Sequence, residues 1–248
     1  MDFTIDKYKE LLVALKNSGL AFRLRHDVDR LPQNSLRTAQ IETQLNLKAT
    51  YFFRVVPESY DEEIIKEIHS LGHEIGYHYE SLTTCNGDVD AAYQDFCTNL
   101  EKLRHMVPVD SICMHGAPRS PWDSREIWKK YDYKQLGIKY EPYLDTDFSK
   151  TFYLTDTGRR WDGYHVSVRD KIPVYQEIWD KKGLCFHSTD DIIEQLCDKE
   201  SPIHKERYMI SITTHPQRWN PFGCQYLYEY CSQSIKNIIK NIVVKINK

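Results

Sequence analysis

Apolar and polar positions along this chain follow two periods in turn, and the alternation itself points to a fold class. Residues Ile5–Asn17 set Tyr8, Leu11, Leu12 and Leu15 on one side, the spacing of an amphipathic helix, and Gly19 marks its stop. A strand is expected at Ala21–Val28. Pro32 and Ser35 open a helix that runs through Leu45, and Ala49–Val55 reads as a second strand. Ser59 and Glu62 form a capping box for a helix Ile64–Leu71 that ends at Gly72. Glu74–Tyr79 is the next strand, and Val89–Leu103 carries a helical stripe at 89, 92, 93, 96, 100 and 103. Ser111–Met114 is strand-like and Ser124–Tyr131 a short helix. Further short strands are expected at Ile138–Leu144, Thr151–Thr155, Leu184–Phe186 and Met209–Thr213, with helices at Asp190–Leu196 and Tyr226–Ile246.

Strands alternating with helices imply a parallel sheet, because a parallel partner needs a crossover long enough to hold a helix. Seven or eight mainly parallel strands in one domain over 1–248 predict an α/β fold, a (β/α) barrel, with a doubly wound open sheet as the competing architecture. The strand ends favour the barrel. They read His26-Asp27-Val28-Asp29, Arg54, His78-Tyr79-Glu80, His115-Gly116, Asp145-Thr146-Asp147, Asp156, His187 and His215-Pro216. Barrel enzymes gather their chemistry at the C-terminal ends of their strands, so these groups are expected to line one pocket. No repeat, low-complexity segment or linker interrupts the pattern.

Composition narrows the partners. The 248 residues carry a net charge of -3 with both signs mixed, and no basic patch calls for a nucleic acid or an anionic membrane. No apolar run approaches the length of a membrane span. Asp2 and Asp6 stand where a basic leader region would lie, so no signal peptide is expected. Seven scattered cysteines with no CxxC pair argue against a disulfide framework or a zinc knuckle and for reduced thiols in the cytoplasm.

Six positions carry the candidate chemistry. Asp27 and Asp29 are two apart at the end of an apolar strand, so both carboxylates share a face with Val28 opposite. Such a pair stays charged cheaply only beside a cation. His78 and Glu80 repeat the spacing with ligand types suited to zinc and its neighbours. His73-Glu74-Ile75-Gly76-Tyr77-His78 is no zincin helix, since its histidines are five apart and Gly76 lies between them. His215, after an apolar strand and before Pro216, can titrate near neutrality as a general acid, or can simply bond a loop carbonyl. His115-Gly116 lets backbone approach a ligand closely. Trp122, Trp161 and Trp219 fall in loops, where rings stack on sugars or anchor the loop itself.

Three blocks together, Leu24-Arg25-His26-Asp27-Val28-Asp29, Ala49-Thr50-Tyr51-Phe52-Phe53 and Gly72-His73-Glu74-Ile75-Gly76-Tyr77-His78, resemble the polysaccharide deacetylases, the NodB-homology domain of carbohydrate esterase family 4. Met114–Trp128, Trp161-Asp162-Gly163 and Thr214-His215-Pro216-Gln217-Arg218-Trp219 resemble the branch associated with O-antigen and surface-polysaccharide biosynthesis. The resemblance implies a distorted (β/α) barrel and metal-dependent removal of an acetyl group from an N-acetylated sugar. It implies Asp27 as base, Asp29 and His78 as ligands of a divalent metal, zinc first, and His215 as acid. Arg119, Trp161 and Trp219 are expected to contact the carbohydrate. Two departures stand out. Leu82 occupies the place of the second metal histidine, so a third ligand is sought in Glu80 or His115, and His115-Gly116-Ala117-Pro118-Arg119 replaces the family's arginine-proline pattern. Two alternatives stay open: a hydrolase of another C–N bond on this fold, and a metal-free carbohydrate-binding or scaffold protein with a degenerate site.

Overall fold

The computed structural model describes residues 1–117, 120–165, 167 and 169–246. Among these residues six strands form: β1 (Phe22–Val28), β2 (Ala49–Phe53), β3 (Glu74–Tyr79), β4 (Ile112–Met114), β5 (Thr151–Thr155) and β6 (Met209–Thr214). Among the described residues ten α-helices accompany them: α1 (Ile5–Ser18), α2 (Pro32–Gln44), α3 (Glu62–Ser70), α4 (Ser81–Thr84), α5 (Val89–Arg104), α6 (Pro142–Asp145), α7 (Pro173–Lys181), α8 (Thr189–Cys197), α9 (Pro202–Glu206) and α10 (Cys224–Ile246). The strand order is β4-β3-β2-β1-β6-β5, and the β2–β3, β3–β4 and β5–β6 pairs are parallel. That order is a cyclic shift of the chain order with no point of reversal. It is the winding sense of a barrel and not of a doubly wound sheet, whose order reverses at a switch point.

Two of the expected strands are absent, which leaves six where seven or eight were expected. In 138–144, Pro142 cannot donate to a ladder. Glu141 instead accepts from the amides of Tyr143 and Leu144, capping α6, and only an isolated bridge from Ser111 to Tyr140 remains. In 184–186, the amide of Leu184 closes the end of α7 on Trp179 O after Gly183 at φ 75°, and Ser188 then caps α8 with a capping box completed by Asp191. The backbone there is spent on helix ends. Ser59 does not cap α3 either. Asp61 does so, its Oδ1 accepting from Ile64 N, while Ser59 Oγ donates to Val28 O.

The chain divides into two units, residues 1–24 with 147–248, and residues 25–146. In the first, α1 lays Tyr8, Leu11, Leu12 and Leu15 into the core, where α8 adds Ile192 and Leu196. Gly19 at φ 72° ends α1 as its left-handed cap. In the second, α2, α3 and α5 bury one face each against β2 and β3. Gly76 is required there. A Cβ on it would meet the Phe52 ring at 2.3 Å, and Phe52 is its register partner on β2. The opposite face of β1 sends His26 inward, 2.6 Å from Glu42 on α2. Tyr51 OH also donates to Glu42, and His73 is anchored by Ala49 N and Ala39 O, so this fully buried polar set is a core network.

Candidate active site

Within residues 25–146, the ends of β1, β3 and β4 bring Asp27, Asp29, His78, Glu80 and His115 together. Alternation along β1 puts Arg25 on the same face as Asp27. Its guanidinium grips the carboxylate with Nε on Oδ1 at 2.8 Å and Nη2 on Oδ2 at 2.6 Å, both residues being buried. A bidentate pair of this kind fixes orientation as well as charge. Arg25 itself lies against Phe52, 5.7 Å from the ring centre, and against Tyr143 at 4.9 Å. Gly76 thus makes room for Phe52, Phe52 seats Arg25, and Arg25 aims Asp27.

The tautomer of His78 follows from its surroundings. Nδ1 lies 2.9 Å from Cys113 O, and a carbonyl can only accept, so Nδ1 carries the proton. In the neutral ring, Nε2 is left with a lone pair. It lies 3.2 Å from His115 Nδ1, 3.6 Å from Asp29 Oδ1 and 3.8 Å from Asp27 Oδ2. His115 Nδ1 is also 3.2 Å from Asp29 Oδ1. One ligand atom from each of Asp29, His78 and His115 falls within 4.8 Å of the others, as does one from each of Asp27, His78 and Cys113. The first set suits a divalent ion better. It offers one carboxylate and two imidazoles, the donors of a catalytic zinc site, whereas Asp27 is already neutralised by a guanidinium that would repel a cation.

Glu80, one of the two residues in which a third ligand was sought, pairs with Arg54. β3 ends at Tyr79, so the alternation that would aim Glu80 beside His78 stops one residue short. Arg54, at the end of β2, instead holds Glu80 Oε1 through Nε at 2.9 Å and Nη2 at 2.5 Å. Glu80 Oε2 faces His115 Nε2 at 3.8 Å, the nitrogen on the far side of the ring from Asp29. Leu82, in the place of the family's second histidine, is buried with Ala92 and Ile127 on the inner side of α4. Its position belongs to the core, and the imidazole nearest to His78 is that of His115, from the neighbouring strand.

Glu141 was not singled out in the sequence. It is fully buried, and Oε1 accepts from Met114 N at 3.1 Å, one residue before His115. Burial pushes its carboxyl up to about 7, against the pull of the amides it caps and of Arg25. A glutamate directly before a proline that opens a helix was the available signal.

In the unit of residues 1–24 and 147–248, His215 is held by Asp156 at the end of β5. His215 Nδ1 lies 2.6 Å from Asp156 Oδ1, and His215 N donates to Oδ2 at 2.9 Å. Arg218 Nη1 and Trp219 Nε1 also donate to this carboxylate, at 2.6 and 2.8 Å. Burial raises the Asp156 pKa, but Arg218 and His215 outweigh it, and the carboxyl lies below its ordinary range. Arg218 Nη1 also lies 2.7 Å from His215 Nδ1, so imidazole, carboxylate and guanidinium form one buried set. Trp161 and Trp219, expected to stack on a sugar, are core residues instead: they are 4 % and 0 % exposed. They pack with Phe3, and their indole N–H groups are spent on Thr189 and Asp156. Arg119 lies outside the described residues.

No family model matches the chain, and no curated protein matches it. Among solved structures, the chain is similar to Bacillus subtilis PdaA, described as a family 4 carbohydrate esterase, at a TM-score of 0.41 and 12% identity, over 90% of this chain and 82% of that one. Among the described residues, no helix is long and apolar enough to cross a membrane.

Proposed function

We propose that this protein is a metal-dependent deacetylase that hydrolyses the amide of an N-acetylated sugar or surface-polysaccharide precursor. The observation that carries the reading is the set Asp29, His78 and His115, with ligand atoms within 4.8 Å of one another, beside an Asp27 fixed by Arg25. The sugar class comes from the resemblance of the Asp27-Val28-Asp29 and Gly72–His78 blocks to the polysaccharide deacetylases.

Asp29, His78 and His115 would hold the ion, with zinc the first candidate. When bound there, it supplies Lewis acidity toward an acyl oxygen and toward water. Cys113 O fixes the His78 ring, and Glu80, braced by Arg54, faces the outer nitrogen of His115. Carboxylate partners of this kind set ring orientation in metal sites. Asp27 takes the proton from a water as its oxygen bonds to the amide carbon. The C–N bond then breaks, and the leaving nitrogen takes up a proton. His215, with Nδ1 held by Asp156, keeps the role of acid that its motif implies. The proposed compartment is the cytoplasm, supported by seven cysteines none of which is in a disulfide.

Acetate release is the test. Protein stripped with a chelator and reloaded with Zn²⁺, Co²⁺ or Mn²⁺ is offered N-acetylated sugar precursors. Metal-dependent acetate release is expected. A protein that loads metal but releases acetate from none of them loses the deacetylase reading to hydrolysis of another C–N bond. One that binds sugar without metal is a scaffold.

A further inference from the structure

Arg159 poses a problem that the proposed reaction does not address. It follows Gly158 in the turn after β5 and holds φ at 55°, a left-handed conformation that non-glycine residues adopt only under constraint. It is 9 % exposed. Nε and Nη1 are buried with no hydrogen-bond partner. The guanidinium lies against three ring faces: Tyr226 at 4.5 Å, Phe3 at 5.4 Å and Tyr230 at 5.6 Å from their centres. Cation–π attraction offsets part of the cost of burying this charge, but its donors still lack acceptors. Burial lowers its pKa despite the pull of Tyr226, Glu229 and Asp156.

Arg159 lines a pocket of about 260 Å³ whose wall also includes Tyr230, Gln233, Ser234 and Asn237 of α10. The other charges on that wall are already answered. Arg160 donates to Asp162 at 2.7 and 2.9 Å, and His187 Nδ1 faces the same carboxylate at 3.1 Å. Asp2 accepts from Phe3 N and Thr189 N. A guanidinium with two donors that lack acceptors has room for a further acceptor, and its planar fork matches a carboxylate. Ring faces beside amide and hydroxyl groups suit the apolar face and the hydroxyls of a sugar.

We propose that this pocket binds a ring-sized molecule bearing one carboxylate, an acidic sugar unit, with the carboxylate on Arg159. All of the pocket's lining residues belong to the unit of residues 1–24 and 147–248, and the proposal does not depend on the deacetylase reading.

Calorimetric titration with sodium glucuronate, glucose and inorganic phosphate tests it without any turnover. Glucuronate is expected to bind one per chain, with glucose and phosphate each at least about tenfold weaker. Arg159→Gln should weaken glucuronate about tenfold or more. Tyr230→Ala, at a residue 54% exposed, should weaken it severalfold with the melting temperature unchanged, and it carries the test if Arg159→Gln fails to fold. No glucuronate binding at millimolar concentration overturns the proposal. So does glucose binding equally well, phosphate binding more tightly, or an unchanged affinity in the folded variants.

Discussion

His78 Nε2 and His115 Nδ1 stand 3.2 Å apart, and both lie beside the same oxygen of Asp29. The two histidines are 37 residues apart in the chain, and the parallel pairing of β3 with β4 brings them side by side. His115 N donates to Tyr79 O at 2.8 Å, which fixes the register at the point where both side chains leave the sheet. The resemblance implies two histidines on one short segment, and the second of those positions is Leu82, which has no ligand atom.

Restoring that histidine should therefore fail. Leu82→His would put an imidazole into the cluster of Ala92 and Ile127. The expected outcome is a loss of about 2–4 kcal/mol of stability with no gain in metal affinity. Urea melts and a metal titration of the variant check both halves.

Glu80 should act through His115. Glu80→Gln keeps the shape and loses the charge facing His115 Nε2, so metal affinity should fall by about 10–100-fold. A ligand lost outright, as in His78→Ala, should cost more. Competition with a chelator of known affinity ranks the two variants. Equal losses would return Glu80 to the status of a direct ligand.

Proton transfer should separate from metal holding. Asp27→Asn and His215→Ala are each expected to lower turnover by about two to four orders of magnitude while metal content stays unchanged. Arg25→Met should lower turnover through Asp27, with the metal again retained. Metal loss in Asp27→Asn would point instead to the Asp27, His78 and Cys113 set.

Glu141 gives stability a pH dependence of known sign. Its folded pKa is raised from 4.5 to about 7, so the folded state holds the proton more tightly than the unfolded state. Its contribution is complete below about pH 4.5 and is lost as the pH rises through about 7, by up to roughly 3 kcal/mol. Glu141→Gln, neutral throughout, should flatten this part of the profile. Chemical denaturation midpoints from pH 4.5 to 8 show whether the slope disappears.

Much of this architecture was legible in the sequence where period and punctuation agreed. Glu74–Tyr79 and Thr151–Thr155 form strands over the ranges expected, and α1 ends on Gly19. The two absent strands were apolar runs whose backbone groups went to helix caps, a choice made by Glu141 and Ser188 side chains that hydropathy does not register. The Asp27 and Asp29 pair was readable from its period. The partnership of His115 with His78 depended on which strands are neighbours, and the tautomer of His78 on a carbonyl 35 residues away. Asp156 appeared among the polar strand ends, but its grip on His215 is a β5–β6 register effect: Thr155 pairs with Thr213 and sets both residues just beyond the strands. Trp161 and Trp219 are buried although they fall in loops, because a loop position says nothing of burial.

The central claim is that Asp29, His78 and His115 form one metal site, and cobalt titration followed by visible absorption tests it most directly. Intact protein should take up one Co²⁺ per chain at micromolar concentration or below, with the ligand-field bands of a nitrogen- and oxygen-coordinated ion. His115→Ala should weaken uptake at least about tenfold, since catalytic sites of this type use three protein ligands. Intact protein that binds no Co²⁺ at micromolar concentration, or a folded His115→Ala variant that binds it as tightly as the parent, would contradict the account.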